Sequence, residues 1–382
     1  MKAPKKSIPW LIFGLTLLVW TAIFAIIAAK RFGGDLRGFL DLGQNIPHPG
    51  VLADAPRPSL DGYDGQFYVA LATDPLIRRR ETGDSLDNPA FRGSRAMIPL
   101  LAWVLAAGNA GAAVYAYQFL CWALGCAAIL LAALMLAQDG GHPAWALILI
   151  PGAGLAASLL RTTPDAGTLA FILAALWLHR RGRFAPALVC AIMAVLSREI
   201  AIILAFGLAL EDVRKSRIGR GLAFAAFPAI ALLGWKTYLQ LWLGSGFSSG
   251  ESLFDLPFFW AYRKTGEMVI GRIAITPIEV IGVLGVAASL AGIAALVSRK
   301  TDWSAAEFTY LGFGLLVPFL SYSVFVEAWG YTRILIVLPF LAIGLAARQG
   351  AAWRKWTLRS VAAVHAIIGL IMIASELRTA IG

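Results

Sequence analysis

Two carboxylates and a scatter of arginines are the residues of this chain best suited to chemistry. Asp61 and Asp64 stand three apart in Asp61-Gly62-Tyr63-Asp64-Gly65-Gln66-Phe67-Tyr68. A helical turn would put both acids on one face. The glycines at 62 and 65 instead favour a tight turn that presents them at the start of the next helix. A carboxylate at a lipid–water boundary can take a proton from an attacking hydroxyl. Aspartate is also a common helix cap, and either residue fits that plainer role. Tyr63, Phe67 and Tyr68 could line a sugar-stacking face, although aromatic residues collect at membrane interfaces in any case.

Arg92 and Arg95 lie one turn apart. A guanidinium stays charged and meets phosphate oxygens with a planar fork, so the pair suits a clamp on a departing phosphate. Anchorage to lipid headgroups is the plainer role, and it fits the run Arg78-Arg79-Arg80 better. Arg161 and Asp165 flank a short turn, Arg198-Glu199 interrupts two apolar runs, and Arg333 precedes another. Ionisable groups at membrane depth are costly, and they face a cavity or one another. A purely structural pair between Arg198 and Glu199 is the alternative, and Lys236, Glu279 and Glu307 pose the same choice.

The elements that position these groups are apolar. Of 382 residues, 59% are hydrophobic and 14% charged, and the mean hydropathy is +0.73. A soluble domain carries about a quarter charged residues. Apolar runs near the roughly 20 residues needed to cross a bilayer recur, which predicts an all-α polytopic membrane protein. The alternating strands of about 10 residues that a β-barrel needs are absent. The net charge of +11 is assigned to cytoplasmic loops, not to nucleic-acid binding. Cys121, Cys126 and Cys190 sit inside apolar runs and read as small hydrophobes. His48, His142, His179 and His365 share no ligand spacing, so no metal site is expected. No phosphate-cradling glycine loop and no serine-nucleophile motif is present. No cofactor is therefore expected, and use of a divalent metal is left open.

Residues 8–29 predict a retained first span with its N-terminus in the cytoplasm. Residues 30–95 then form a long extracytoplasmic loop in which 66–73 is expected as an amphipathic helix on the membrane surface. The run 97–108 reaches only roughly 18 Å at 1.5 Å per residue and is expected to be re-entrant or surface-lying. Further spans are expected at 111–137, 144–160, 166–179, 184–197, 199–211, 220–243, 274–298, 305–326, 334–347 and 357–375, about eleven in all. The intervening cytoplasmic loops hold Arg180, Arg181 and Arg183, then Arg214, Lys215, Arg217 and Arg220, then Arg299 and Lys300, then Arg348, Arg354, Lys355 and Arg359. The turn at 139–143 is assigned to the same side although it has no Lys or Arg. The short middle spans predict a cavity on the outer side. A second outer segment, 244–273, carries an amphipathic stretch at 254–262 that would cover it. No internal repeat is visible, and the chain reads as a single domain over 1–382.

The motif at 61–68, followed by Asp74-Pro75 and by Arg92, Arg95 and Pro99, resembles the bacterial branch of the GT-C glycosyltransferases. These multi-span enzymes take sugars from polyprenyl-phosphate carriers and are broadly similar to the PIG-V-like mannosyltransferases. The resemblance covers the first loop well. Beyond it, Asp165, Arg198 and the pattern from 333 to 341 carry it. It implies a GT-C-like bundle in a bacterial cytoplasmic membrane, with an inverting sugar transfer at the extracytoplasmic face. The donor would be a polyprenyl-phosphate sugar and the acceptor an envelope glycan or lipid, with membrane lipids as further partners and no nucleic acid. The family's first-loop acidic residue, its catalytic base, maps best onto Asp64. Many members carry two adjacent acids there; here they are three apart, so the division of roles between Asp61 and Asp64 stays open. Arg92, Arg95, Arg198 and Arg333 would hold the donor phosphate. Tyr63, Gln66, Tyr68, Arg161, Asp165 and Glu199 would contact substrate. Two other classes compete. A transporter or flippase for a lipid-linked glycan would line a path through the membrane and often shows repeated halves. A non-catalytic subunit of an envelope-glycan assembly complex would need no base at all.

Overall fold

The computed structural model describes residues 7–244, 254–270, 276–298 and 303–382. Among them the regular structure is helical, with two isolated β-bridges and no β-strand. The first helix, α1 (Ile8–Arg31), has a proline in its first turn and Lys30 and Arg31 in its last. Proline's fixed φ suits a helix start, and cations suit the carbonyl end of the helix dipole.

The first loop is folded, with short helices α2 (Gly65–Thr73), α3 (Arg80–Asp84) and α4 (Pro89–Gly93), followed by α5 (Met97–Leu105). Strand-like pairing of 41–45 with 59–63 ties its halves together, through Gln44 N to Ser59 O, Asn45 N to Leu60 O and Tyr63 N to Asp41 O. The expectation of a surface-lying α2 is overturned: every residue from Gly65 to Thr73 is buried. Its polar groups are met by protein instead of water. Gln66 Oε1 accepts from Gly43 N at 2.9 Å and its Nε2 donates to Asp61 O at 2.9 Å. Tyr68 OH accepts from Arg95 Nη1 at 2.8 Å, and Thr73 Oγ1 donates to Ala70 O at 2.8 Å. With its hydrogen bonds satisfied, the helix can be buried. It packs on α5 and on α6 (Ala110–Gln138).

A turn of 3-10 helix, Pro143–Leu149, meets α7 (Ala153–Leu160) at 55°. Then come α8 (Asp165–Arg180), α9 (Phe184–Ser197), α10 (Ile202–Arg214) and α11 (Ile218–Leu243). After them, α12 (Phe259–Val269), α13 (Pro277–Val297), α14 (Ala305–Leu316), α15 (Tyr322–Phe325) and α16 (Ala328–Ile334) lead to α17 (Val337–Ala347), bent by 48° from α16, and to α18 (Ala352–Ile381). Five of the described helices, α1, α6, α11, α13 and α18, are long and apolar enough to cross a membrane, or up to seven spans if each bent pair counts as one. The chain is a helical, multi-pass membrane protein. The expected total of about eleven included α8, α9 and α10, which have 16, 14 and 13 residues. Each is shorter than the roughly 20 residues of an independent crossing. The span expected at 305–326 is interrupted by the 3-10 turn Val317–Phe319, which carries Pro318, a residue without an amide to donate.

Residues 245–253 and 271–275 lie outside the described residues, so the expected cover over 244–273 is described only in part. Within the amphipathic stretch, residues 254–258 are not helical. They run along 317–320, with Asp255 N donating to Phe319 O and Phe258 N to Pro318 O, and α12 starts only at Phe259. That helix docks on α15 through Trp260, stacked on Phe325 at 3.9 Å. Its Lys264 is buried against Glu279 and donates to Phe325 O at 2.7 Å.

The bundle holds the first loop from two sides. On α11, Trp235 Nε1 donates to Gly93 O at 2.8 Å, Tyr238 OH to Leu76 O at 3.1 Å and Trp242 Nε1 to Ile77 O at 2.9 Å. The other flank of α11 exposes Leu222, Phe227, Ile230 and Leu233, as a lipid-facing helix does. The turn at 139–143 sits at the same end as Arg180, to which Asp139 is bonded at 2.7 Å.

Candidate functional site

Gly62 and Gly65 shape the turn that carries Asp64. Gly62 has φ +73°, and a Cβ there would strike Gly43 N at 2.5 Å. A Cβ on Gly65 would collide with Arg161 O and lie 2.9 Å from Leu40 O. The glycine therefore lets the loop backbone press onto the turn between α7 and α8. That turn is itself strained, since Thr162 holds φ 45°, a conformation costly for a β-branched residue. Thr162 is pinned by its Oγ1 donating to Phe39 O at 3.0 Å and by Tyr117 OH donating to its carbonyl at 2.9 Å.

Asp64 occupies the N-cap position of α2, yet its side chain makes no capping hydrogen bond. The carboxylate is spanned by two arginines. Arg92 Nη1 donates to Oδ1 and Arg333 Nη2 to Oδ2, each at 2.8 Å. Arg92 also grips Asp87 with a two-toothed fork, Nε and Nη2, at 2.8 and 2.7 Å. Arg333 donates through Nε to Trp329 O at 3.1 Å, and its Nη1 lies 3.6 Å from Asp165 Oδ2. Asp165, at the first position of α8, touches Arg198 as well. Acid and base alternate along one line: Asp87, Arg92, Asp64, Arg333, Asp165, Arg198. Beside it, Arg95 bonds Glu199 at 3.2 Å and Tyr68 at 2.8 Å, and Ser94 Oγ donates to Glu199. Four guanidiniums and four carboxylates thus converge from the first loop, α8, the break between α9 and α10, and α16.

The break is why Arg198 and Glu199 can both reach this line. Arg198 is extended at φ −159° between the end of α9 and a short 3-10 turn. The two residues do not pair with each other, so the simple Arg198–Glu199 bridge is replaced by bonds to partners on other elements. Glu279 and Glu307 are explained separately. Glu279 binds Lys264, and Glu307 closes a capping box with Ser304 at the start of α14.

Aromatic rings flank the arginines. Arg92 stands over Phe67 at 4.4 Å, Arg95 over Phe91 at 4.2 Å and Arg333 over Tyr63 at 4.7 Å. Burial alone would raise the pKa of Asp64, but the positive charges of Arg333 and then Arg92 outweigh it. They hold the carboxyl below the usual carboxylate range. Burial pushes the Tyr63 phenol up, so it stays neutral. The Asp64 side chain keeps 22% of its exposure, so a small group can reach it.

The other sequence candidates fall outside this line. Asp61 is exposed, and its carboxylate reaches only Asn45 Nδ2, at 3.5 Å. It does not share the site with Asp64, because the left-handed Gly62 between them turns it away. Gln66 is corrected from substrate contact to scaffold, with both amide atoms committed to backbone. Tyr68, also fully buried, holds Arg95 in place. Arg161 belongs to a neighbouring network, bonded to Glu376 at 2.6 Å and 3.4 Å from Asp41, with Glu376 also taking Arg31 at 2.6 Å. It meets the Asp64 line only through the Trp329 and Tyr63 rings, at 4.6 and 6.0 Å. Sequence reasoning missed Asp87. Its signal was the Asp87-Asn88-Pro89 turn, in which Asn88 caps α4 and so aims Arg92 back at Asp87.

Among the described residues no group of three or more His, Cys, Asp or Glu is arranged to hold a metal ion. Comparison with protein-family models, with curated proteins and with solved structures found no match for this chain.

Proposed function

We propose that this protein is an inverting glycosyltransferase of the GT-C type that moves a sugar from a polyprenyl-phosphate carrier to a glycan or lipid acceptor. One observation carries the proposal: a partly exposed carboxylate, Asp64, clamped between Arg92 and Arg333 at 2.8 Å each. In this mechanism Asp64 takes the proton of the acceptor hydroxyl. The acceptor oxygen attacks the anomeric carbon from the face opposite the phosphate. The carbon–oxygen bond to the phosphate breaks, and its electron pair leaves on the phosphate, where guanidinium groups meet the charge.

A carboxylate held by two arginines is a weak base, and the same clamp resolves this. The incoming donor phosphate competes for Arg92 and Arg333. As it draws them off, Asp64 loses the cations that depress its pKa and becomes a better proton acceptor. The base is thereby switched on when the donor is seated. An apolar crevice of about 460 Å³ between α1 and α6, lined by Phe24, Phe39, Phe119, Trp122, Leu159 and Thr162, supports a place for the lipid chain. It ends at Thr162, whose carbonyl abuts Gly65. The proposal takes the bundle as GT-C-like, with the shorter helices bringing the passes to about eleven. It puts the N-terminus in the cytoplasm of a bacterial cell and the Asp64 line at the outer face of the cytoplasmic membrane.

The test is transfer from a radiolabelled polyprenyl-phosphate sugar by the purified full chain. The parent is expected to transfer and a folded Asp64→Asn variant is not. Equal rates from the two would remove the base and, with it, the proposal.

A further inference from the structure

The helices that carry Asp165 and Arg198 at one end lead to a second polar cavity at the other. Helix α8 runs from Asp165 to His179 and Arg180, roughly 24 Å at 1.5 Å per residue. The cavity has a volume of about 430 Å³, and its wall includes His179, Arg180, Lys215, Arg217, Arg348 and Trp303. Nothing in the proposed transfer uses it.

The wall also carries two acids, Asp139 and Glu211. Arg180 bonds Asp139 at 2.7 Å, Lys215 bonds Glu211 at 2.5 Å, and Arg348 lies 3.6 Å from Glu307. Arg217 leans on Asp212 at 3.1 Å, a carboxylate it shares with Arg220 at 3.2 Å, outside the wall. The hydrogen bonding here is unfinished. Among the described residues, buried Arg217 Nε at the wall and Arg220 Nε and Nη2 outside it have no hydrogen-bond partner, and neither do Asp212 Oδ2 and His179 Nδ1, which can accept. An arginine offers five N–H donors, and the described bonds commit only Nη1 of Arg180 and Nη2 of Arg217. The carbonyl ends of α8, α10 and α17 account for cations near this surface. They do not account for buried nitrogens left without an acceptor, which cost about as much as a lost hydrogen bond.

We propose that this cavity binds a phosphate-bearing anion, with Arg180, Arg217, Arg348 and Lys215 as its cations and the vacant guanidinium N–H groups as its donors. Phosphate offers several strong acceptor oxygens, and arginine meets it with more than one hydrogen bond. The same chemistry is found in the headgroup of an anionic phospholipid and in a soluble phosphate. The site is independent of sugar transfer and stands whether or not that function holds.

The full chain in nanodiscs separates the two sources. One set of discs is phosphatidylcholine alone, titrated with inorganic phosphate by calorimetry. The other adds phosphatidylglycerol, with retained lipid counted by native mass spectrometry. Binding is expected in at least one arm, weakened roughly tenfold or more by Arg217→Gln and little changed by Arg80→Gln, at an exposed first-loop position. Phosphatidylglycerol retention without phosphate binding identifies a headgroup site, and the reverse identifies a soluble ligand. Lys215, whose side chain is 56% exposed, supplies a second variant, Lys215→Gln, that does not endanger the fold. No binding in either arm overturns the proposal. So does binding that both Arg217→Gln and Lys215→Gln leave intact.

Discussion

The two ends of the α8–α9–α10 layer are both ionic, and they are built in opposite ways. At one end Asp64 is joined to Arg333 across 269 positions of sequence, and the acids and arginines come from several remote segments. At the other, Asp212 gathers Arg217 and Arg220 from the turn just after it, with His179 at 3.0 Å from the neighbouring helix. Asp64 keeps 22% exposure, whereas Asp212 keeps none. A local cluster of this kind follows from how a helix ends and a basic loop begins. A long-range line of alternating charges, left open at one carboxylate and braced by a strained threonine, does not arise from helix ends alone. The Asp212 cluster fixes Arg217 in the wall of its cavity, whereas the Asp64 line leaves its central carboxylate open.

Substitutions can break that contrast. The largest effect expected is on transfer by Asp64→Asn, a loss of about 10²–10⁴-fold, as for removal of a general base, measured with labelled donor. Asp212→Asn is expected to do the converse. It strands buried cations and lowers stability by about 3–5 kcal/mol in thermal unfolding, while transfer per folded molecule changes less than about twofold because the sites are far apart. Arg333→Lys keeps the charge and loses the fork. A loss of roughly tenfold in kcat/KM is expected, in line with one charge-assisted hydrogen bond. If Asp212→Asn abolished transfer without unfolding the protein, the division between the ends would fail.

The smaller effects sharpen it. The pKa of Asp64 is depressed in the folded protein, so its ion pairs stabilise the fold above the unfolded carboxylate pKa near 4 and fade only as pH falls through the lower folded value. The melting difference between the parent and Asp64→Asn is therefore expected to stay constant from about pH 9 to 5 and to narrow below about pH 4. Asp61→Asn, at an exposed position, is expected to change both stability and transfer least, within about 0.5 kcal/mol and twofold. A large loss there would return Asp61 to the chemistry.

Much of this was legible in the sequence, for a physical reason. Charged residues in apolar surroundings are costly, so Asp165, Arg198, Glu199 and Arg333 stood out, and the structure brings all four to Asp64, Arg92 and Arg95. Helices such as α6, α9, α11 and α13 lie close to their expected bounds because their apolar runs are long and cleanly ended. The burial of α2 was not legible. Tyr68 and Gln66 look like the wet side of a surface helix, and only Arg95 and the backbone of Gly43 reveal that their partners are protein. The breaks at 150–152 and 317–321 were hidden inside apolar stretches whose composition is the same on either side. The choice between Asp61 and Asp64 depended on one left-handed glycine. The pairing of Asp87 with Arg92 depended on a cap four residues upstream of the arginine, a detail of turn geometry finer than composition or period conveys.

The bond from residue 64 to residue 333 also sets a clock on biosynthesis. In synthesis from the N-terminus the first loop emerges long before α16 leaves the ribosome. Until then Asp64 has only one of its two arginines, and Asp165 and Arg198 lack the guanidinium that links them to it. A protein shortened ahead of Arg333 would insert and hold most of its helices, yet never complete the constellation. Quality control that waits for the last quarter of the polypeptide would therefore be inspecting the Asp64 constellation itself, not an accessory to it.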